Sequence, residues 1–330
     1  MRPIQAVDYH TAGEPFRIVT GGAPPLEGAT ILAKRRFAAE TLDEVRRLLV
    51  FEPRGHADMY GCFVTEPGDE GADLGVVFFH NAGYSTACGH GTIALVTWAL
   101  ETGVVVREGP EARVVVDVPS GRVETFARVA DGRVVSVTFR NVPAFVAARG
   151  LRAAGIEVDV AFGGAFYASA EAPFAVEGAN VPRFIELGRT IKRDLEAERE
   201  FVHPEEPELR DVYGVVFWQD EGRKGARLVQ RNVAVFADGE VDRSPCGSGT
   251  SARLALLAAE AEAAGGTAVG LELLHRSVIG TEFRARIVEP ADVAGTPAVI
   301  TEVEGSAHYT GRHEFTLDPS DPLGAGFLLR

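Results

Sequence analysis

The chain has 330 residues, 46% hydrophobic and 24% charged, with a formal net charge of −14 and only three cysteines. That length suits about two domains, and the negative charge argues against capture of nucleic acid, which needs a basic surface. Three scattered cysteines exclude a disulfide scaffold and point to a reducing, cytoplasmic setting; no apolar secretory core opens the sequence and no run approaches the roughly 18 apolar residues of a membrane helix.

From the N-terminus, residues 8–15 form a dense polar segment in which His10 and Glu14 either line a pocket or build a turn. The stretch Thr41-Leu-Asp-Glu44 has capping-box spacing and predicts a helix over residues 45–51. Arg54, His56 and Asp58 follow closely, read as a buried ion network or as pocket residues. Residues 74–79 are a short apolar run predicted as a buried strand. A turn leads to Cys88, and an apolar helical stretch over 93–100 stops near Gly103. Strands are predicted over 113–118, 122–129 and 134–139.

A domain boundary is expected within 140–150, giving a first half (1–145) that carries Cys88 and a second (146–330) that carries Cys246. The final strand is free to return to the first half. The second half reads as helix over 182–201, strand over 212–218, strand over 232–236, then a turn ending at Pro245, a favoured residue where a helix begins. A helix over 251–264 stops at Gly265-Gly266, and strands follow over 283–288 and 298–303. Many strands with few helices argue for an α+β fold.

One repeat stands out. Cys88-Gly-His-Gly-Thr-Ile-Ala94 returns as Cys246-Gly-Ser-Gly-Thr-Ser-Ala252, and strand, turn, cysteine and helix occur in that order both times. Each thiol therefore sits at a helix N-terminus, where the dipole favours an anion and a cysteine pKa can fall well below about 8.5. The flanking glycines let backbone approach a ligand, and the first helical amides make an anion site. Two such thiols on opposite faces of one substrate can remove a proton from one side and return it to the other. Cys62 lacks this setting and reads as core. Asp242, the carboxylate nearest the second thiol, either caps its own turn or serves as counter-ion to a substrate ammonium.

Other chemistries fit less well. Zinc wants clustered ligands such as CxxC, a P-loop wants GxxxxGK[ST], and neither glycine turn completes GxGxxG. None of the three lysines (Lys34, Lys192, Lys224) suggests a Schiff base, so the expectation is an enzyme without metal or cofactor. A cysteine–histidine hydrolase would not explain a second equivalent cysteine.

The segments STACGHGTIA and VDRSPCGSGTSAR resemble the two signature segments of the proline racemase family, and the likeness continues through DYHTAGEPFRIV, FEPRGHADMYG, AFGGAFYA, GSAHYTG and GFLLR. The resemblance implies a diaminopimelate-epimerase-like fold: two pseudo-symmetric α/β halves, the active site in the cleft between them, usually as a homodimer. It implies Cys88 and Cys246 as base and acid at Cα. It also implies a substrate carboxylate held by the amides of Gly89, His90, Gly247 and Ser248, with Asp242 and His90 facing the ring nitrogen of proline or a hydroxyproline. Within the family a second thiol goes with racemases and 2-epimerases, whereas threonine in its place goes with trans-3-hydroxy-L-proline dehydratases. Cys246 thus favours racemase or 2-epimerase. FEPRGHADMYG, FADGEVDRSP and GFLLR look more like the dehydratase branch, which is the alternative, and a non-catalytic imino-acid binding protein is a third reading.

Overall fold

A helix buried on every face must be enclosed on every side, and two helices of this chain are buried so over most of their length. The structure, a computed structural model, describes residues 2–329. It divides into two units: residues up to Val137 together with those from Ser306 onward, and Thr138–Gly305. The division thus falls at Val137/Thr138, earlier than 145/146, and the C-terminal segment groups with the first unit.

The elements run β1 (Ile4–Thr11), β2 (Glu14–Gly21), α1 (Ile31–Thr41), α2 (Asp43–Val50), β3 (Tyr60–Thr65), β4 (Leu74–His80), α3 (Gly89–Glu101), β5 (Glu111–Val118), β6 (Gly121–Ala130) and β7 (Arg133–Arg140). Then come β8 (Ala144–Ala153), β9 (Ile156–Phe162), β10 (Phe166–Glu171), α4 (Val181–Glu198), β11 (Val212–Lys224), β12 (Arg227–Phe236) and β13 (Glu240–Asp242). The last are α5 (Gly247–Ala263), β14 (Glu272–Arg276), β15 (Glu282–Val293), β16 (Thr296–Gly305) and β17 (Ala307–Phe315).

In the first unit the strands pair in the order β17, β1, β2, β3, β4, β5, β6. The β2/β3 and β4/β5 pairs are parallel and the others antiparallel. A parallel pair needs a crossover connection, and α3 is the crossover from β4 to β5. Every residue of α3 from Gly89 to Ala99 is buried, and the helix packs on β1, β2, β3, β6 and β17. Strand β4 is buried along its whole length, with α1 and α2 packed on it. That explains why its sequence runs apolar without alternation.

The second unit repeats the pattern. Its strands pair in the order β8, β9, β10, β11, β12, β14, β15, β16. Strand β16 then pairs back on β8 through Ala298–Phe145 and Val299–Ala144, closing the ring. The parallel pairs are β10/β11 and β12/β14, and α5 is the crossover of the latter. Residues Gly247 to Ala258 of α5 are all buried, against β8, β9, β10, β15 and β16. Both thiol-bearing helices are therefore crossovers enclosed by their own sheets.

Close packing on α5 explains the first glycine of AFGGAFYA, Gly163. A Cβ on Gly163 would lie 2.4 Å from the Ser248 carbonyl and 2.6 Å from the Ala252 nitrogen. Backbone cannot rotate away as a side chain can. Gly163→Ala is expected to destabilise the protein by about 1–3 kcal/mol through overpacking; an unchanged urea midpoint would contradict this contact.

Two local expectations are corrected. The capping box at Thr41 does not form, because Thr41 ends α1 and its hydroxyl donates to the Phe37 carbonyl at 2.6 Å. Leu42 stands at the start of α2 with no side-chain cap. The helix expected over 182–201 stops at Glu198, where Arg199 turns extended (φ −160°, ψ 157°).

Candidate active site

Cys88 is the N-cap of α3, with the extended backbone usual for that position (φ −154°, ψ 98°). Its Sγ accepts the Gly91 N–H at 3.2 Å, and its carbonyl accepts the Thr92 N–H and the Thr92 hydroxyl, both at 2.9 Å. Helix geometry leaves the amides of Gly89 and His90 with no acceptor inside α3. Both nitrogens of the His90 ring lie 3.5 Å from Cys88 Sγ. The ring is wedged edge-on against Phe16 and Tyr60, with centroids at 5.6 and 5.0 Å, and the His90 carbonyl accepts the Thr11 hydroxyl at 2.8 Å. Burial lowers the imidazole to about 3. It is neutral near pH 7, which argues against a thiolate–imidazolium pair.

Cys246 caps α5 differently. Its backbone lies in the left-handed region (φ 61°, ψ 101°), which bulky L-residues rarely adopt. Its thiol lies 3.7 Å from the Tyr167 hydroxyl, which in turn bonds Ser248 Oγ at 2.7 Å. The amides of Gly247 and Ser248 head the helix, and the Thr250 N–H makes the first helical bond back to the Cys246 carbonyl at 2.8 Å. Burial, and then the nearby Asp242 charge, push this thiol well up, against the pull of hydrogen bonds from Tyr167, Gly249 and Ser248. Desolvation thus outweighs the helix terminus that, taken alone, would favour thiolate. Burial and the Asp242 charge both favour the neutral thiol over the thiolate.

Asp242 ends β13, buried, with Oδ1 accepting the Ser244 N–H at 2.7 Å. It caps its own turn. Burial raises its carboxyl to about 6 despite the opposing bonds from Ser244. The first unit thus gathers Cys88, Gly89 and His90 at the head of α3, and the second gathers Asp242, Cys246, Gly247 and Ser248 at the head of α5.

Other sequence candidates settle into structural places. Cys62 is fully buried in β3, and burial raises its thiol. His10 Nδ1 accepts the Gly13 N–H, and its ring lies 5.2 Å from that of His308 on β17. Arg54 reaches Asp321 at 3.4 Å, and His56 is exposed. Nearby, buried Arg17 pairs with half-buried Asp8 through two hydrogen bonds of 2.7 and 2.9 Å. Tyr167 was not singled out by sequence; its only signal was a place within AFGGAFYA.

The buried histidines set an acid limit on stability. His90 and His275 are both lowered to about 3 by burial, so between roughly pH 6.5 and 3 the unfolded chain binds more protons at these sites. Stability held by neutral imidazole is complete above pH 6.5 and is lost as pH falls toward 3. Asp242, raised to about 6, acts in the opposite sense, losing stability as pH rises from 3.8 through 6. Two histidines outweigh one carboxyl. The urea midpoint is expected to fall from pH 7 to pH 5; a midpoint that rises would show that these imidazoles protonate in the folded state.

A solved hydroxyproline epimerase from Agrobacterium vitis, with bound trans-4-OH-L-proline, has a TM-score of 0.90 and 32% identity, covering 100% of this chain and 97% of that one. The two-unit α+β fold expected from the sequence is the fold of that protein. The proline racemase sequence model matches residues 6–328, and the chain belongs to the proline racemase family of enzymes. It is 45% identical to the 3-hydroxyproline 2-epimerase of Burkholderia multivorans and 45% identical to the trans-3-hydroxy-L-proline dehydratase of Burkholderia ambifaria. Each alignment covers 100% of this chain and 99% of the relative. Among the described residues no helix is long and apolar enough to cross a membrane.

Proposed function

We propose that this protein is a hydroxyproline 2-epimerase acting on a 3-hydroxyproline, with Cys88 and Cys246 as the acid–base pair at Cα and no cofactor. The observation that carries the reading is a thiol, rather than a hydroxyl, at the head of α5, kept in its neutral form by burial and Asp242. The ring position of the hydroxyl comes from the names of the 45% identical relatives.

The chemistry needs three things of these residues. The substrate carboxylate takes the amides of Gly89, His90, Gly247 and Ser248, since a helix N-terminus offers unpaired N–H groups to an anion. Asp242, ionised above its raised pKa, faces the ring ammonium. One thiol, as thiolate, accepts the α-proton and becomes neutral; the other gives its proton to the opposite face of the carbanion and becomes thiolate. The C–H bond broken on one face is replaced by one formed on the other, and the two thiols have exchanged protonation states. A reducing, cytoplasmic setting keeps both thiols available, and a homodimer is the expected assembly.

A second reading has its own support: a trans-3-hydroxy-L-proline dehydratase is as similar as the epimerase. There one thiolate removes the α-proton and hydroxide leaves C3, with Cys246 protonating the leaving group. Incubation with trans-3-hydroxy-L-proline in D₂O, followed by proton NMR, separates the two. The expected result is deuterium at Cα with the hydroxyl retained and the cis-3-hydroxy-D isomer accumulating. Loss of the hydroxyl to a cyclic imine would establish dehydration instead. Binding with no exchange at Cα would leave only an imino-acid binding protein.

A further inference from the structure

We infer that Asn232, Thr250 and His275 form a clamp on the Pro245 carbonyl that positions the second thiol, an inference that rests on the proposed role of Cys246. The peptide linking Pro245 to Cys246 must be held so that Cys246 stays at φ 61°. Without a side chain's worth of restraint, a non-glycine residue relaxes out of that region. The restraint is visible on both edges of the peptide. The Pro245 carbonyl accepts Asn232 Nδ2 at 2.9 Å and the Thr250 hydroxyl at 3.1 Å. On the other edge the Cys246 N–H donates to Ser244 Oγ at 3.1 Å.

His275 completes the arrangement. Its Nδ1 lies 2.8 Å from Thr250 Oγ1. The Thr250 hydroxyl proton is directed at Pro245, so the oxygen can only accept, and His275 Nδ1 carries the proton. The tautomer so defined leaves Nε2 as a bare lone pair. Nε2 is indeed buried with no hydrogen-bond partner, as is Asn232 Oδ1. Each side chain is 0% exposed and leaves one polar atom unpaired, a cost that apolar residues would avoid. The atoms that are paired all converge on one carbonyl, directly or through Thr250.

The first unit shows what the motif does without a clamp. Thr92 occupies the place of Thr250 in CGxGTxA, yet its hydroxyl returns to the carbonyl of Cys88 itself. Cys88 is extended there and needs no such restraint. The threonine of the second copy is diverted one residue back, to Pro245, where the strained turn requires it. The hydrogen bonds of these three side chains run to the Pro245 carbonyl and to one another, so they act through the backbone.

The test is Thr250→Val, which keeps shape and removes the hydroxyl, beside Thr250→Ser, which keeps the hydroxyl. Alkylation of each cysteine by iodoacetamide is followed by mass spectrometry, and inversion and α-deuteration of the substrate by NMR. Thr250→Val is expected to lower inversion about 10²-fold, as misplacement of a reacting group does. It should change the alkylation rate of Cys246 alone and retain deuteration without inversion at the face served by Cys88. Thr250→Ser is expected to restore inversion. Wild-type inversion and Cys246 alkylation in Thr250→Val would overturn the clamp, as would an equal change at both thiols with a lowered melting temperature. If Thr250→Val does not fold, Asn232→Leu is read by the same criteria. Inversion that survives in Cys246→Ser would overturn the proposed function instead, while the alkylation comparison still decides the clamp.

Discussion

Cys246→Ser and Cys88→Ser are each expected to abolish inversion at Cα. A correctly placed general acid or base contributes about 10²–10⁴-fold, and a serine hydroxyl is far too weak an acid to replace a thiol at neutral pH. Inversion needs both partners because the proton leaves one face and arrives at the other, so neither loss can be covered by the remaining thiol. Proton exchange with retention needs only one. Each single variant should therefore keep some deuterium incorporation into one substrate isomer while losing conversion between isomers. The assay is polarimetric or chiral-phase conversion beside NMR exchange. Substantial inversion by either single variant would remove the two-thiol scheme, and elimination unaffected by Cys246→Ser would favour the dehydratase.

Gly249→Ala is the second large effect. A Cβ there would fall 2.9 Å from Cys246 Sγ and 2.9 Å from Val216 Cγ2. The valine is locked in β11 and buried, so the thiol must give way. Its rotation breaks the contact with Tyr167 and moves the sulfur off its line to substrate, for which a displacement near 1 Å can cost about 10²-fold. The matching change in the first unit, Gly91→Ala, places the Cβ 2.7 Å from Cys88 Sγ and 2.4 Å from the Phe16 ring. Both variants should lose kcat more than folding stability, with overpacking of about 1–3 kcal/mol. Wild-type kcat in Gly249→Ala would mean that the position of Cys246 Sγ is not critical.

The two glycines also show why part of the site was readable in advance. CGxGTxA places its thiol, amides and small residues within one helical turn, so sequence spacing alone brings them together. The same holds for the apolar stretches of α3 and α5, which are local properties, and for β4, whose apolar run from Leu74 to Phe79 is uninterrupted. Strands β1, β2 and β10 were not picked out. They mix polar with apolar residues, and Thr11, Glu14, Arg17 and Ser169 are buried there nonetheless. Helix α1 was missed as well, because only Ile31, Lys34 and Ala38 of it are buried.

By itself the sequence determined that two thiols head two repeated helices in an α+β chain, because those statements depend only on residues within a few positions of each other. Tertiary structure alone decided what surrounds them. Tyr167 reaches Cys246 and Ser248 from 79 and 81 positions away, and His275 and Asn232 meet at the Pro245 turn from different strands. It also set the direction in which the second thiol is shifted. The helix terminus that favours thiolate is visible in a motif, but desolvation and the Asp242 charge, which prevail at Cys246, depend on enclosure by strands distant in sequence. Burial is a property of the folded whole, and at Cys246 it sets the direction in which the thiol is shifted.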